Sequence, residues 1–149
     1  MSQLPEIVRD IERVSADVVA KARTYQAAIL ADVAGRRGTM HGRIAPVHHG
    51  MAVAGPAFTV EVRPGDNLMI HAAIALARPG DVLVIDGKGD LNAALMGTLM
   101  LSACKKQGLA GVVIDGVQGL DDASRHAIFE GNARRVYPRL DALLKTRGH

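Results

Sequence analysis

The chain is poor in aromatic residues and in cysteine. Its 149 residues include no Trp, two Tyr, two Phe and one Cys. A single cysteine, Cys104, excludes an internal disulfide framework and a metal site built from several cysteines. We therefore expect a cytoplasmic protein, in which Cys104 is a small buried core residue.

Long hydrophobic runs are also absent. The longest apolar segments have the length of β-strands, whereas a membrane-spanning helix needs about 20 apolar residues. The N-terminus lacks the basic and apolar regions of a signal peptide. We therefore expect no membrane partner. With 48% hydrophobic and 22% charged residues, the chain has the composition of one globular domain with an aliphatic core.

The positive charge is small and unevenly distributed. The net charge is +3, with 18 Lys and Arg against 15 Asp and Glu. Residues 1–116 carry 12 basic and 11 acidic side chains, so two of the three net charges belong to residues 117–149. No basic stripe with interleaved aromatic residues occurs, so we expect no nucleic-acid partner.

Helical and strand-like segments alternate along the chain. Apolar spacing predicts two helices between Pro5 and Ala34, broken near residues 23–25, and strands within residues 51–62. Further on, the pattern predicts helix 68–77, strand 82–85, a helix from about residue 92 to 107, and strand 112–114. The predicted end signals of the two helices are Asp66 or Asn67, Asp90 or Asn92, and Gly108. This alternation indicates an α/β layered fold.

Six motifs follow one another in order along the chain: Ile44-x-Pro46, VAGPAxTV at 53–60, GDN at 65–67, PGDVLV at 79–84, a helix with Gly97, and GLxGVVIDG at 108–116. Over about residues 25–116 they resemble the RraA-like / 4-hydroxy-4-methyl-2-oxoglutarate aldolase family. The resemblance implies an α/β domain of the swivelling β/β/α type, with N-terminal helices, assembled into homotrimers or hexamers. Residues 117–149 lack the family's motifs. We therefore interpret 1–149 as a single domain with a divergent tail, in which the family's C-terminal strands are missing.

The resemblance also implies a chemistry. In the family's aldolases, a divalent metal, usually Mg²⁺, and an Arg polarise the keto group, so that retro-aldol cleavage releases pyruvate as an enolate. The substrate carboxylate binds backbone amides at a helix start that corresponds here to Gly97, Thr98, Leu99 and Met100. A helix that begins near Asn92 would need a break or a later start to leave those amides open. The alternative is that Gly97 only permits close helix packing.

The catalytic Arg-Asp pair of the family is replaced in this chain. Gln118 stands at the Arg position and Gly119 at the Asp position, while Thr98 stands where family aldolases place an acidic residue. Gln118 is neutral and Gly119 has no side chain, so neither supplies the cationic fork or the metal ligand. Asp121 and Asp122 lie two and three residues too late to replace that ligand.

A change of reading frame would explain the tail. Read one base later, a Gln codon followed by a Gly codon gives Lys or Arg, and a Gly codon followed by a Leu codon can give Asp. In the same frame, residues 130–142 can encode a Gly-x-Pro-Val segment that ends in Arg-Gly-x-Thr-Pro, as in the family. We therefore hypothesise that residues 117–149 are an out-of-frame translation.

Three functions remain open. The first is a metal-dependent lyase that acts on 4-hydroxy-4-methyl-2-oxoglutarate, 4-carboxy-4-hydroxy-2-oxoadipate or, as a decarboxylase, oxaloacetate. The second is a non-catalytic module like the family members that inhibit ribonuclease E, and the third is an inactive fragment. The first is favoured for the lineage, although not for this exact chain.

The further candidates for site residues are histidines and loop cations. His48 and His49 are expected at the surface, because adjacent side chains of an extended segment point in opposite directions. His71 is expected in a helix near the site. Lys88 and Arg63 could attract an anionic keto acid, but solvated loop charges are the simpler interpretation.

Overall fold

The fold is a parallel sheet flanked by helices. The computed structural model describes residues 7–47 and 50–116. Along these residues the elements are α1 (Ala16–Ala22), α2 (Ala27–Val33), β1 (Ala57–Glu61), α3 (Leu68–Leu76), β2 (Val82–Asp86), α4 (Thr98–Gln107) and β3 (Gly111–Asp115). The strands form one sheet in the order β1-β2-β3, and both pairings are parallel. The α/β class predicted from the sequence is confirmed.

Two short helices precede the sheet. The Ser15 hydroxyl accepts a hydrogen bond from the Val18 amide at 3.4 Å and caps α1. The helices are separated at residues 23–26, so the predicted break is confirmed. Residues 7–15 are not helical, although the apolar spacing extends into them. Their tertiary contacts explain this, because Ile11 packs against the core and Arg13 binds Asp81.

The core lies between one face of the sheet and helices α3 and α4. The strand register pairs Phe58 with Leu83, and Val60 with Ile85. Apolar side chains from both helices complete this cluster, among them Ile70, Ile74, Met100 and Cys104. Burying each large aliphatic side chain stabilises the fold by roughly 2 kcal/mol. Cys104 is 4% exposed, so its predicted burial is confirmed.

Strand β1 is shorter than the predicted strand region. Only Ala57–Glu61 belongs to the sheet, because Pro56 has no amide proton to donate to a ladder. The Pro56 carbonyl still accepts a hydrogen bond from the Val82 amide at 2.8 Å. Regular strand pairing therefore begins at Ala57, directly after the proline.

The start of α3 and the end of α4 follow the predicted polar and glycine signals. The Asp66 carboxylate accepts a hydrogen bond from the Leu68 amide at 3.0 Å at the start of α3. Gly108 ends α4 in the left-handed conformation, with φ 79°, which costs glycine little because it has no Cβ. Within residues 7–47 and 50–116, every helix is too short or too polar to cross a membrane.

Candidate functional site at the carboxyl edge of the sheet

All three strands end in an acidic residue at the same edge of the sheet. Glu61, Asp86 and Asp115 are in register across β1, β2 and β3. Ligands of open parallel sheets bind outside the carboxyl ends of the strands, where the crossover helices begin. This edge, formed by the strand ends and the loops that follow them, is therefore the candidate site.

Helix α4 begins later than the sequence predicts. Its first residue is Thr98 and its N-cap is Gly97, so the predicted start near Asn92 is wrong. The Asn92 amide instead donates a 2.9 Å hydrogen bond to the Asp90 carboxylate, which forms a local turn without starting a helix. Leu95, only 3% exposed, anchors the loop to the core before the helix begins.

Because α4 begins at Thr98, the backbone amides predicted to bind the substrate carboxylate lie at the N-terminus of this helix. The first hydrogen bond within α4 runs from the Leu101 amide to the Gly97 carbonyl at 3.0 Å, so the amides of Leu99 and Met100 precede it. A Cβ added at Gly97 would meet no atom within 4 Å. Close helix packing therefore does not explain this glycine in the described part of the chain.

The four predicted substrate-binding residues differ in their exposure. Gly97 is exposed and the Leu99 side chain is 79% exposed, whereas Met100 is 7% exposed and belongs to the core. The Asn67 side-chain amide donates to the Met100 sulfur at 3.9 Å, which brings the starts of α3 and α4 together. Met100 can therefore contribute only its backbone amide to a ligand.

The loop between β2 and α4 is packed onto the end of β3. A Cβ at Gly87 would collide with the Asp115 carbonyl oxygen and would lie 2.6 Å from the Leu95 Cδ1. A Cβ at Gly116 would lie 2.7 Å from the Asp90 carbonyl oxygen. These close approaches fix the loop, and with it the start of α4, against the carboxyl ends of the strands.

Arg43 reaches this edge from the segment before the sheet. Its Nε and Nη2 atoms each lie 2.8 Å from a carboxylate oxygen of Asp115. The hydrogen bonds from Arg43 lower the pKa of Asp115, and the same contact raises the pKa of Arg43. Asp115 is only 15% exposed and Arg43 is 56% exposed, so the outer side of the guanidinium faces solvent.

Lys88 neutralises the other two carboxylates. Its ammonium nitrogen lies 2.7 Å from Glu61 Oε1 and 2.9 Å from Asp86 Oδ2. Contact with these carboxylates raises the pKa of Lys88, Glu61 having the larger effect, and hydrogen bonds from Lys88 lower the pKa of Asp86. Lys88 is therefore an ordered member of the edge, which the simpler interpretation as a solvated loop charge did not anticipate.

A divalent metal does not fit the described residues of this edge. Each strand-end carboxylate already binds a side-chain cation, and no cluster of three or more His, Cys, Asp or Glu able to hold a metal occurs within residues 7–47 and 50–116. No chemical step of this chain is therefore assigned to a metal.

Two grooves of the described chain lie away from this edge. One of about 460 Å³, between α3 and α4, is lined by His71 and Lys106. The other, of about 540 Å³, is lined by Arg13 and Asp81 near the amino ends of the strands. The candidate site is thus an open edge of the single chain.

Several predicted positions lie outside the described residues: His48, His49, Gln118, Gly119, Asp121 and Asp122. The structure therefore tests neither the replaced catalytic pair nor the alternative ligands. Gln118 and Gly119 follow β3 by three and four residues along the chain. The frame-shift hypothesis for residues 117–149 stays a prediction.

Comparison with known protein families gives a match over most of the chain. The sequence model of the RraA-like family, described as Aldolase/RraA, matches residues 8–139. This chain belongs to the RraA-like family. The matched range begins before residue 25 and ends beyond residue 116, the limits of the motifs that carry the resemblance.

Curated relatives in this family bear aldolase names. A protein of Halalkalibacterium halodurans, named as a candidate 4-hydroxy-4-methyl-2-oxoglutarate aldolase, is 39% identical over 100 residues, which are 67% of this chain and 48% of that protein. A protein of Cupriavidus necator with the same name is 42% identical over 65 residues, 44% of this chain and 39% of its own length. This chain thus spans about half the length of the first of these relatives and a smaller share of the second.

A solved structure shares the fold. The crystal structure of an uncharacterized protein from Pseudomonas syringae pv. tomato matches 77% of this chain and 53% of its own, with a TM-score of 0.56 and 22% identity. This similarity supports the RraA-like fold that the motifs imply. At that identity it carries no information on activity.

Sequence reasoning missed Arg43 and did not connect Lys88 with the strand-end carboxylates. Arg43 lies 72 residues before Asp115, and no local spacing connects them. A usable signal was present in the strands, because each apolar strand ends in an acidic residue, Glu61, Asp86 or Asp115. Three carboxylates at one edge of a parallel sheet call for neutralising partners.

Proposed function

We propose that this chain binds a small 2-oxo acid at the carboxyl edge of its sheet, and that its lineage is that of a 4-hydroxy-2-oxo acid aldolase. The observation that carries the proposal is the start of α4 at Thr98, directly after a glycine whose Cβ position is open. The helix N-terminus presents backbone amides and the positive end of the helix dipole, which together favour a carboxylate. Family membership supports the same chemistry.

The substrate class follows from the lineage. In 4-hydroxy-4-methyl-2-oxoglutarate and 4-carboxy-4-hydroxy-2-oxoadipate, the bond between C3 and C4 breaks, and its electron pair forms the enolate of pyruvate. The hydroxyl proton at C4 must leave at the same time. Oxaloacetate yields the same enolate by loss of carbon dioxide. All three reactions develop negative charge on the 2-oxo oxygen, which a preorganised cation or hydrogen-bond donor must stabilise.

We propose that this chain retains binding but not efficient cleavage. A neutral Gln118 in place of the family's Arg cannot neutralise a developing charge, and Gly119 in place of the family's Asp has no side chain. Arg43 and Lys88 already neutralise the carboxylates of the edge. Loss of a donor to an oxyanion costs about 10²–10³ in kcat, so turnover far below that of an intact aldolase is expected.

Binding is tested by titrating isotope-labelled protein with pyruvate and with oxamate, a stable analogue. We expect shifts of the backbone amide signals of Leu99 and Met100, with no comparable shift at Lys105 in the last turn of the same helix. Absence of any shift at the start of α4 at saturating ligand would refute the binding proposal.

Cleavage is tested separately by following pyruvate release from each of the three substrates, with and without added Mg²⁺. We expect little release in either condition. Sequencing the coding DNA from the codon of Asp115 to beyond the stop codon tests the cause. A shifted frame that encodes Arg-Asp and a continuous family-like segment predicts that the repaired protein releases pyruvate, whereas an unshifted frame makes Gln118 and Gly119 genuine.

Assembly is part of the proposal, because the site of one chain is open. Large apolar side chains beside it are exposed: Leu68 at 69%, Leu91 at 56% and Leu99 at 79%. Contact with a second subunit would cover them, as expected for a homotrimer whose active sites lie at subunit interfaces. Light scattering on the purified chain measures the state directly, and a monodisperse monomer would contradict this part.

A further inference from the structure

Each of the three strand-end carboxylates is paired with a side-chain cation of the same chain. Glu61, Asp86 and Asp115 lie in register on neighbouring strands, and carboxylate oxygens are the ligands that Mg²⁺ and Mn²⁺ prefer. Here the Lys88 ammonium lies between Glu61 and Asp86, at 2.7 and 2.9 Å. The Arg43 guanidinium covers both oxygens of Asp115 at 2.8 Å.

The backbone holds Lys88 in this position. Lys88 has φ 59°, a left-handed conformation that is unfavourable for a residue with a side chain. Its amide donates a 2.9 Å hydrogen bond to Asp86 Oδ1, while its ammonium binds the other oxygen of the same carboxylate. Two contacts with one acid thus fix both ends of the lysine.

We propose that Lys88 is a built-in cation, which takes the place that a divalent ion would occupy between Glu61 and Asp86. Arg43 has the same role at Asp115. The strand-end carboxylates of this chain therefore do not bind divalent metal. This inference concerns the same edge as the proposed function, but it requires neither oxo acid binding nor catalysis.

The ion pairs of Lys88 are exposed to solvent. Lys88 is 43% exposed and Glu61 is 71% exposed, so their contact contributes little to stability. Removing the ammonium should therefore leave the fold intact while it leaves two neighbouring carboxylates without their cation. Their combined negative charge would then attract a metal ion.

The experiment is paramagnetic broadening by Mn²⁺ in the full isotope-labelled chain. In the wild type, the amide signals of Gly87 and Gly89 should stay sharp. Lys88→Met keeps the Cβ and the backbone amide. In this variant the same signals should broaden at an Mn²⁺ concentration at least about tenfold below any that broadens them in the wild type, since one opposing charge is gone. The readout is resolved by residue, so Mn²⁺ bound elsewhere does not interfere.

Matched variants control for charge and position. Lys88→Arg keeps the cation and should behave as the wild type. Lys105→Met removes an exposed lysine at the far end of α4 and should not change the Gly87 and Gly89 signals. Circular dichroism of each variant verifies that it is folded, and Lys88→Gln serves as a second neutral variant if Lys88→Met is not.

Two results would overturn the proposal. One is equal broadening of Gly87 and Gly89 in the wild type and in the neutral variants. The other is no broadening in a folded neutral variant. A further contrary result is broadening in the wild type that disappears in Asp86→Asn, because it would show that the carboxylates bind metal with Lys88 in place. None of these results depends on pyruvate binding or release, so a failure here is distinct from a failure of the proposed function.

Discussion

Arg13 and Asp81 form a two-bond ion pair that ties the segment before α1 to the start of β2. Arg13 Nε and Nη2 lie 2.8 Å from the two Asp81 oxygens, across 68 residues of sequence. Asp81 is 1% exposed, and its carboxylate also accepts a 2.8 Å hydrogen bond from the Arg78 amide. The guanidinium lies 5.9 Å from the centre of the Phe58 ring. A buried charge is thus matched by a cation and by a backbone donor.

Removing Arg13 should destabilise the protein strongly. In Arg13→Met the Asp81 carboxylate stays buried without its cation, which typically costs about 3–5 kcal/mol. The measurement is urea unfolding of wild type, Arg13→Met, Asp81→Asn and the double variant. We expect the double variant to lose less than the sum of the single losses, because the partners interact directly. Additive losses would contradict a specific pair.

Stability should fall with acid, and Asp81 should account for part of the fall. The hydrogen bonds from Arg13 lower the pKa of Asp81 below its ordinary value, so the folded state binds a proton less readily than the unfolded state. The resulting stabilisation is present above the unfolded pKa of about 3.9 and is lost as the pH falls through the folded pKa. Urea unfolding between neutral pH and the acid limit measures it.

The Asp81→Asn variant is the control for this pH dependence. It should be less stable at neutral pH and should lose less of its remaining stability on acidification. Asp86 and Asp115 also have lowered pKa values, through Lys88 and Arg43 respectively, so some acid dependence should remain. An Asp81→Asn variant with the full wild-type loss would show that Asp81 does not contribute.

Two glycines of the same loop should respond differently to alanine. Gly87→Ala places a Cβ against the Asp115 carbonyl and should cost about 1–3 kcal/mol through overpacking. Gly97→Ala meets open space and has an extended backbone with φ −138°, so it should cost about 1 kcal/mol or less as a poorer N-cap. Urea unfolding compares them, and equal losses would contradict the difference in packing.

Gly97→Ala should affect ligand binding more than stability. Its methyl group would add bulk at the N-cap of α4, next to the amides where the oxo acid carboxylate is proposed to bind. Titration with oxamate should therefore show an affinity at least about tenfold lower than in the wild type, equal to about 1.4 kcal/mol. An unchanged affinity would place the ligand elsewhere.

The thiol of Cys104 should be unreactive in the native protein. The residue is 4% exposed, and burial raises the pKa of its thiol, so both access and the thiolate fraction are reduced. A chromogenic disulfide reagent should react slowly in buffer and rapidly in urea. Fast reaction in native buffer would contradict the burial of Cys104 in the hydrophobic core.

Local chemistry made much of the fold predictable from the sequence. The apolar runs that become β2 and β3 have no competing pattern, Pro56 limits β1, and Gly108 ends α4 in the left-handed conformation that it alone adopts cheaply. The family followed from ordered motifs within residues 25–116. Each of these features depends on neighbouring residues.

Tertiary contacts decided the details of the candidate site. The start of α4 moved from the predicted Asn92 to Thr98 because Asp90 captures the Asn92 amide and Leu95 is buried before the helix begins. The partner of Asp115 was not predictable from local sequence either, since Arg43 meets it across 72 residues. The sequence by itself determined the order of most strands and helices and the family to which the chain belongs. Only the folded chain decided which charges meet and where the helix amides open, because burial and long-range ion pairs have no local signature.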